Sequence, residues 1–190
     1  MSPFLEKAQR VLEDRYRLSP GATVTDFIRL IPGLKARGTL WIEQSQDSPD
    51  LDVAVLLDRD LFEALPHAAP SVSVGLEEVS HFVYLSHNHN RGRNVTRLEM
   101  EIQSEVDRIV LAFDPRLGLT QEISETLLQE LHFKPYSSAD YETARSTASE
   151  FLRSLRRHDP RAWTDEEHRA IQRFYELPLQ EKLKSRGTLS

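Results

Sequence analysis

The sequence predicts an α+β fold, in which an N-terminal helix and a small antiparallel β-hairpin or sheet pack against a predominantly helical C-terminal half. Three observations predict it. Residues 35–44 and 50–57 alternate in character, with Leu40 and Ile42 set against Thr39 and Trp41, and Leu51, Val53 and Val55 against Asp52 and Ala54. That period of two belongs to half-buried strands. From Gly75 onward the apolar residues recur instead at spacings of three and four, the period of a helix with one buried face. A lone hairpin, finally, is marginal in water, so the strands need helices to pack on. The 190 residues have the length of one domain, placed at 1–184 and followed by a flexible tail at 185–190.

Each element has a local reason. Ser2 and Pro3 suit an N-cap and the first helical position, where proline sacrifices no hydrogen bond. Phe4, Ala8, Val11 and Leu12 then share one face to about Tyr16, and Ser19-Pro20-Gly21 turns the chain. Residues 24–30 fit either a short helix or a β-branched strand, and a third strand is expected from 22–30 or 71–75. Ser45 to Pro49 supplies the hairpin turn. Asp58 to Leu65 reads as a short helix and Pro66 to Ser73 as a connector. Val79 to Leu85 is dense enough for central packing.

The stretch from Ser86 to Arg93, Ser-His-Asn-His-Asn-Arg-Gly-Arg, has the composition of a loop, expected to be exposed and to join two antiparallel helices. Asn94 is the expected cap of the second, whose stripe is Val95, Leu98, Ile102, Val106, Ile109 and Phe113, with Asp114-Pro115 as its stop. Thr120 opens a helix with Ile123, Leu127, Leu128 and Leu131 inward. Another aligns Tyr141, Ala144, Ala148, Phe151 and Leu155. Thr164 and Glu167 form a capping box before Ile171, Phe174 and Tyr175, and Pro178 must kink or restart that helix. Burial is expected for both Trp41 and Trp163.

Composition narrows the chemistry. There is no cysteine, which removes disulfides, zinc fingers and cysteine nucleophiles. The N-terminus has no apolar run of signal-peptide length and no stretch could span a bilayer, so a soluble cytoplasmic protein is expected. A net charge of −6 disfavours nucleic acid as the main partner. Charge is segregated: residues 99–130 are acidic, whereas Arg153, Arg156, Arg157, Arg161, Arg169 and Arg173 follow in a basic run. Solvated helix faces are the simplest source of such a pattern. Neither a glycine-rich phosphate loop nor a serine nucleophile elbow is present.

Three constellations remain. Glu78 and His81 form an E-x-x-H pair on one helix face, the spacing used in di-iron bundles. Such a centre needs a second pair and further inward carboxylates, and the chain offers one pair with Glu99, Glu101 and Glu105 elsewhere, so the expectation is a histidine at the edge of the core or on the surface. His87 and His89 are too few to hold a metal, while Arg91 and Arg93 could meet an anion. Arg153 and His158, four residues between them, resemble the Arg-x4-6-His motif of HEPN ribonucleases, in which a dimer brings two motifs to one RNA phosphate. The likeness covers six residues, and the polar residue usual after the arginine is missing, so no catalytic role is carried over.

The function expected from the sequence is that of an interaction protein, an adaptor or subunit of a multi-protein assembly without catalysis of its own. It would bind a protein partner, or a second copy of itself, through a helical face and His87, His89, Arg91 and Arg93. A nucleic-acid-processing or phosphate-binding enzyme using Arg91, Arg93, Arg153 and His158 is the alternative. Neither a cofactor nor a metal is expected.

Overall fold

The computed structural model describes residues 2–19, 21–35, 37–44, 51–133, 139–155 and 163–185. Helix α1 (Pro3–Tyr16) leads into one turn of helix, α2 (Val24–Phe27), which passes directly into strand β1 (Ile28–Ile31). The ambiguous segment is thus helix and strand in succession. Strands β2 (Gly38–Gln44) and β3 (Leu51–Asp58) pair antiparallel, as the alternation requires. β1 takes the other edge of β3 and runs parallel to it, which makes the sheet mixed rather than antiparallel, in the order β1-β3-β2.

Asp58 ends the sheet and starts α3 (Arg59–Glu63), its carboxylate accepting hydrogen bonds from the amides of Asp60 and Leu61. The next helix, α4 (Ala69–Asn90), is longer than the sequence suggests at both ends. The connector at 66–73 is mostly its first turn, and His87 to Asn90 continue its last. Its partner α5 (Arg97–Ala112) is capped by Thr96 rather than Asn94. The two run antiparallel, with Tyr84 meeting Glu99 and Ser73 meeting Arg108. A 3-10 turn at Pro115–Leu117 precedes α6 (Gln121–Phe133), α7 (Ala139–Leu155), α8 (Asp165–Glu176) and α9 (Leu179–Lys184). The Thr164–Glu167 capping box is present, and Pro178 restarts the chain as α9. The residues expected to form a tail lie almost wholly outside the described ones.

The structure departs most from the sequence pattern at α5. Ile102, Val106 and Ile109 are fully buried as the stripe predicts, whereas Val95, Leu98 and Phe113 are only partly so; Glu101, Gln103, Ser104, Glu105, Asp107 and Arg108 are buried as well. Packed by α1, α4, α6 and α7, the helix is enclosed on every side. The acidic residues of α5 are therefore not a solvated face, unlike the exposed Glu122 and Glu125 of α6, and most of its polar groups have hydrogen-bond partners inside. Asp107 accepts from Ser80 Oγ at 2.6 Å, from Gln103 Nε2 at 2.8 Å and from the Tyr16 hydroxyl. Arg108 donates to Ser73 Oγ at 2.8 Å and pairs with Glu105. Lys182, brought in by α9, donates to Gln103 Oε1 at 2.7 Å and to the Tyr84 hydroxyl at 3.1 Å. Burial lowers its ammonium to about 7, against the opposing pull of Glu99 and Asp107.

Trp41 is not core. It is 44% exposed, and its neighbour Ile42 is 39% exposed, although consecutive strand residues face opposite ways. Helix α4 covers the Gly38 end of β2, and at Trp41 and Ile42 both faces of the strand are open to solvent. Because α5 has no solvent face, Ile102→Asp should cost about 3 kcal/mol or more by placing an unpaired charge in the interior. Urea titration checks this: a loss within about 0.5 kcal/mol, typical of surface positions, would put the stripe at an exposed seam.

Candidate metal centre

Helix α4 presents Glu77, Glu78 and His81 together, since side chains three and four apart share a helix face. Its approach to the sheet depends on Gly38. A Cβ there would meet Val74 Cγ1 at 2.4 Å and Glu78 Oε1 at 3.1 Å, so a larger residue would push the helix and Glu78 away. Glu78 and His81 are 4% and 6% exposed, and Glu77 is half-buried beside them. One donor atom from each of the three falls within 4.8 Å of the others.

Antiparallel packing brings Glu101 of α5 to the other side of the imidazole. His81 Nδ1 stands 3.8 Å from Glu78 Oε2, and Nε2 stands 3.6 Å from Glu101 Oε2. Both separations exceed a hydrogen bond. Glu78 Oε2 and His81 Nε2 are accordingly buried without a hydrogen-bond partner. Buried groups of this kind normally find one. Burial alone would lower the imidazole, yet Glu101 and Glu78 overcome it and raise His81 to about 10. Glu77 is pushed up to about 7 by desolvation, with Glu78 and Glu101 adding repulsion. The flanking Glu101 and Glu78 thus favour the charged form of the imidazole, against the effect of burial.

An outer layer holds Glu101 in place. Arg97 Nε approaches its other oxygen at 3.5 Å, and Arg97 Nη2 donates to the Tyr141 hydroxyl of α7 at 3.3 Å. On the far side Arg108 lies 4.0 Å from Glu77 Oε2, but it is shared with Glu105 and Glu130. Ligands about 2.1 Å from one ion stand roughly 3 to 4 Å apart. The Nδ1–Glu78 separation already falls in that range, and a donor atom of Glu77 lies within 4.8 Å of both. A cation held by Glu77, Glu78 and His81 Nδ1 would leave Nε2–H to donate to Glu101, the carboxylate that orients a metal-bound histidine. One imidazole and two carboxylates suit manganese, iron or zinc as divalent ions, and three protein ligands leave positions open for water.

The residues singled out in the sequence are distributed otherwise. His87 lies on the last turns of α4, 3.8 Å from Glu176 and close to the Tyr175 ring, and Arg91 bonds the same glutamate at 2.8 Å. Arg93 turns inward to pair with the buried Glu99, and it donates to Asn88 Oδ1 at 2.8 Å. Of the four, His89 projects from the helix as an exposed side chain outside this web. The stretch is therefore the end of a helix and a tight return, tied to α5 and α8, rather than a free loop. Arg153 is exposed on α7, whereas His158 lies outside the described residues. The Glu78–His81 pair is buried as expected of a core-edge histidine. Its shell of carboxylates was not expected, and among Glu99, Glu101 and Glu105 only Glu101 reaches it.

Comparison with protein-family models, with curated proteins and with solved structures yields no match to this chain. The reading of the site rests on its own geometry.

Alanine at Arg93 should cost about 2 to 3 kcal/mol, the range for losing hydrogen bonds to a charged group, because it leaves the buried Glu99 carboxylate with the Tyr84 hydroxyl but without its guanidinium. His89→Ala should stay within about 0.5 kcal/mol. Thermal or urea unfolding of the two variants side by side checks the contrast, and equal stabilities would return the whole segment to solvent.

Proposed function

We propose that this chain is a divalent-metal-binding protein whose ion is held by Glu77, Glu78 and His81 Nδ1, with Glu101 orienting the imidazole through Nε2. One observation carries the reading: donors from a single helix face converge in the interior while Glu78 Oε2 and His81 Nε2 have no hydrogen-bond partner. The buried pair Arg15 and Asp114, by contrast, closes to hydrogen-bonding distance at 2.8 Å. The groups of the site instead stand apart, at the spacing of atoms around an ion.

Isothermal titration with manganese and zinc, and with magnesium as a contrast, tests this. One manganese or zinc ion per chain is expected, and His81→Ala should abolish the uptake. Glu101→Gln should weaken it by about 10- to 100-fold, the usual effect of removing an orienting carboxylate. Absence of binding, or binding indifferent to His81→Ala, would reject the proposal.

A second reading, as an interaction protein, is favoured by the two-faced exposure of Trp41 and Ile42 on the hairpin. A second copy of this chain is the partner that needs no further surface, because a twofold contact uses one patch twice. Sedimentation over a range of concentrations should then reveal self-association that Trp41→Arg removes without lowering the melting temperature. A chain that remains monomeric throughout would dismiss this reading.

A further inference from the structure

Lys182 is the one lysine among the described residues with a fully buried side chain, and its surroundings are those of a ligand site. The ammonium lies 4.5 Å from the centre of the Tyr84 ring and 5.1 Å from that of Phe174. Aromatic faces at such distances attract a cation through the ring quadrupole. Two oxygens accept from it, Gln103 Oε1 at 2.7 Å and the Tyr84 hydroxyl at 3.1 Å. Each is backed by a buried carboxylate. Gln103 Nε2 donates to Asp107 at 2.8 Å, and the Tyr84 hydroxyl donates to Glu99, also at 2.8 Å. The site therefore combines a two-sided aromatic wall, two directed acceptors and two carboxylates one bond further out.

The cage and its occupant belong to different elements. Tyr84, Gln103, Glu99 and Asp107 stand on α4 and α5, and Phe174 on α8, each held by packing of its own. Lys182 arrives on α9, a six-residue helix that begins after Pro178 and makes no extensive helix-to-helix contact among the described residues. Only Leu179 and Leu183 join it against the core, both partly buried. Withdrawal of α9 would thus uncover the cage without dismantling any of its walls.

We infer that the interior face of α4, α5 and α8 is a recognition site for a primary alkylammonium group, occupied in cis by Lys182 and closed by α9. Its ligands in trans are amines of the same shape: a linear alkyl stem ending in an ammonium, as in a lysine side chain or a diamine. Quaternary ammonium groups are excluded, because they cannot donate to Gln103 and Tyr84. This site shares no residue with the metal centre and stands whether or not a metal binds there.

Deleting the occupant from the full-length chain tests the inference. Lys182→Ala removes the equivalent of n-propylammonium, which serves as the probe, with 1-propanol as the uncharged control and tetramethylammonium as the charged control that cannot donate. The variant should melt lower than the parent. n-Propylammonium should raise its melting temperature in a saturable manner, regaining roughly half of the loss or more, as a ligand specific to the folded state does. Equal recovery with 1-propanol, or none with the amine, would show a space filled by apolar packing alone and overturn the site. Should Lys182→Ala fail to fold, Lys182→Met decides: it fills the volume without the charge. A melting temperature equal to or above that of the parent would reject ammonium recognition, and a clear loss, up to failure to fold, would uphold it.

Discussion

Everything else in this structure accommodates the burial of α5 with its charges. A helix enclosed on all sides is ordinarily apolar all round, yet this one carries Glu101, Glu105, Asp107 and Arg108 into the interior. Desolvating them is costly unless each is met by a partner in good geometry. The partners come from α1, through Tyr16 and its bond to Asp107, from α4, through Ser73, Ser80 and Tyr84, from α7, through Arg145, and from α9, through Lys182. Such pairs add little net stability over a well-packed apolar core. What they contribute here is registry, because sliding α5 by one residue against α4 would strand several charges at once.

Helix α4 supplies two of the polar faces that α5 requires. Ser80 and Tyr84, four apart, look toward Asp107 and Glu99, while Glu77 and His81, also four apart, look toward Arg108 and Glu101. The first face is saturated by hydrogen bonds between 2.6 and 3.2 Å. The second is not, and its charges remain 3.6 Å or more apart at the imidazole. Two adjoining regions of one helix pair therefore differ in kind. One is a closed network, and the other leaves its charges unclosed around the imidazole.

The elements of the fold were largely legible in the sequence because their signals are local. The Thr164–Glu167 capping box, the alternation in β2 and β3 and the stripe on α5 each lie within one segment. Partners of buried polar groups do not. Gln103 and Lys182 are 79 residues apart, and Tyr16 and Asp107 are 91 apart, distances over which periodicity carries no information. The same limit explains the misjudged end of α4. Asn and His are weak helix formers, so 87–90 has the composition of a loop, but Asn88 is buried, donates to the Tyr84 carbonyl and receives Arg93. Tertiary contacts decide that turn. At the candidate site, the Glu78–His81 spacing was visible and Glu101 was among the carboxylates considered. Its selection over Glu99 and Glu105 depends on the register of α4 against α5, which only the assembled pair defines.

The position of Lys182 has a consequence for biosynthesis. The polar interior between α4 and α5 is complete only when residue 182 is in place, and Tyr16, near the start, is one of the groups it is linked to through Gln103. A ribosome-bound chain that has emerged only as far as α7 already contains α5 but cannot yet close its surroundings, and Gln103 and Tyr84 must stay hydrated. Helices α1 to α7 can form and associate loosely as they appear. The cluster around Gln103 and Tyr84 is completed only when α9 docks, after the elements that form its walls have been made.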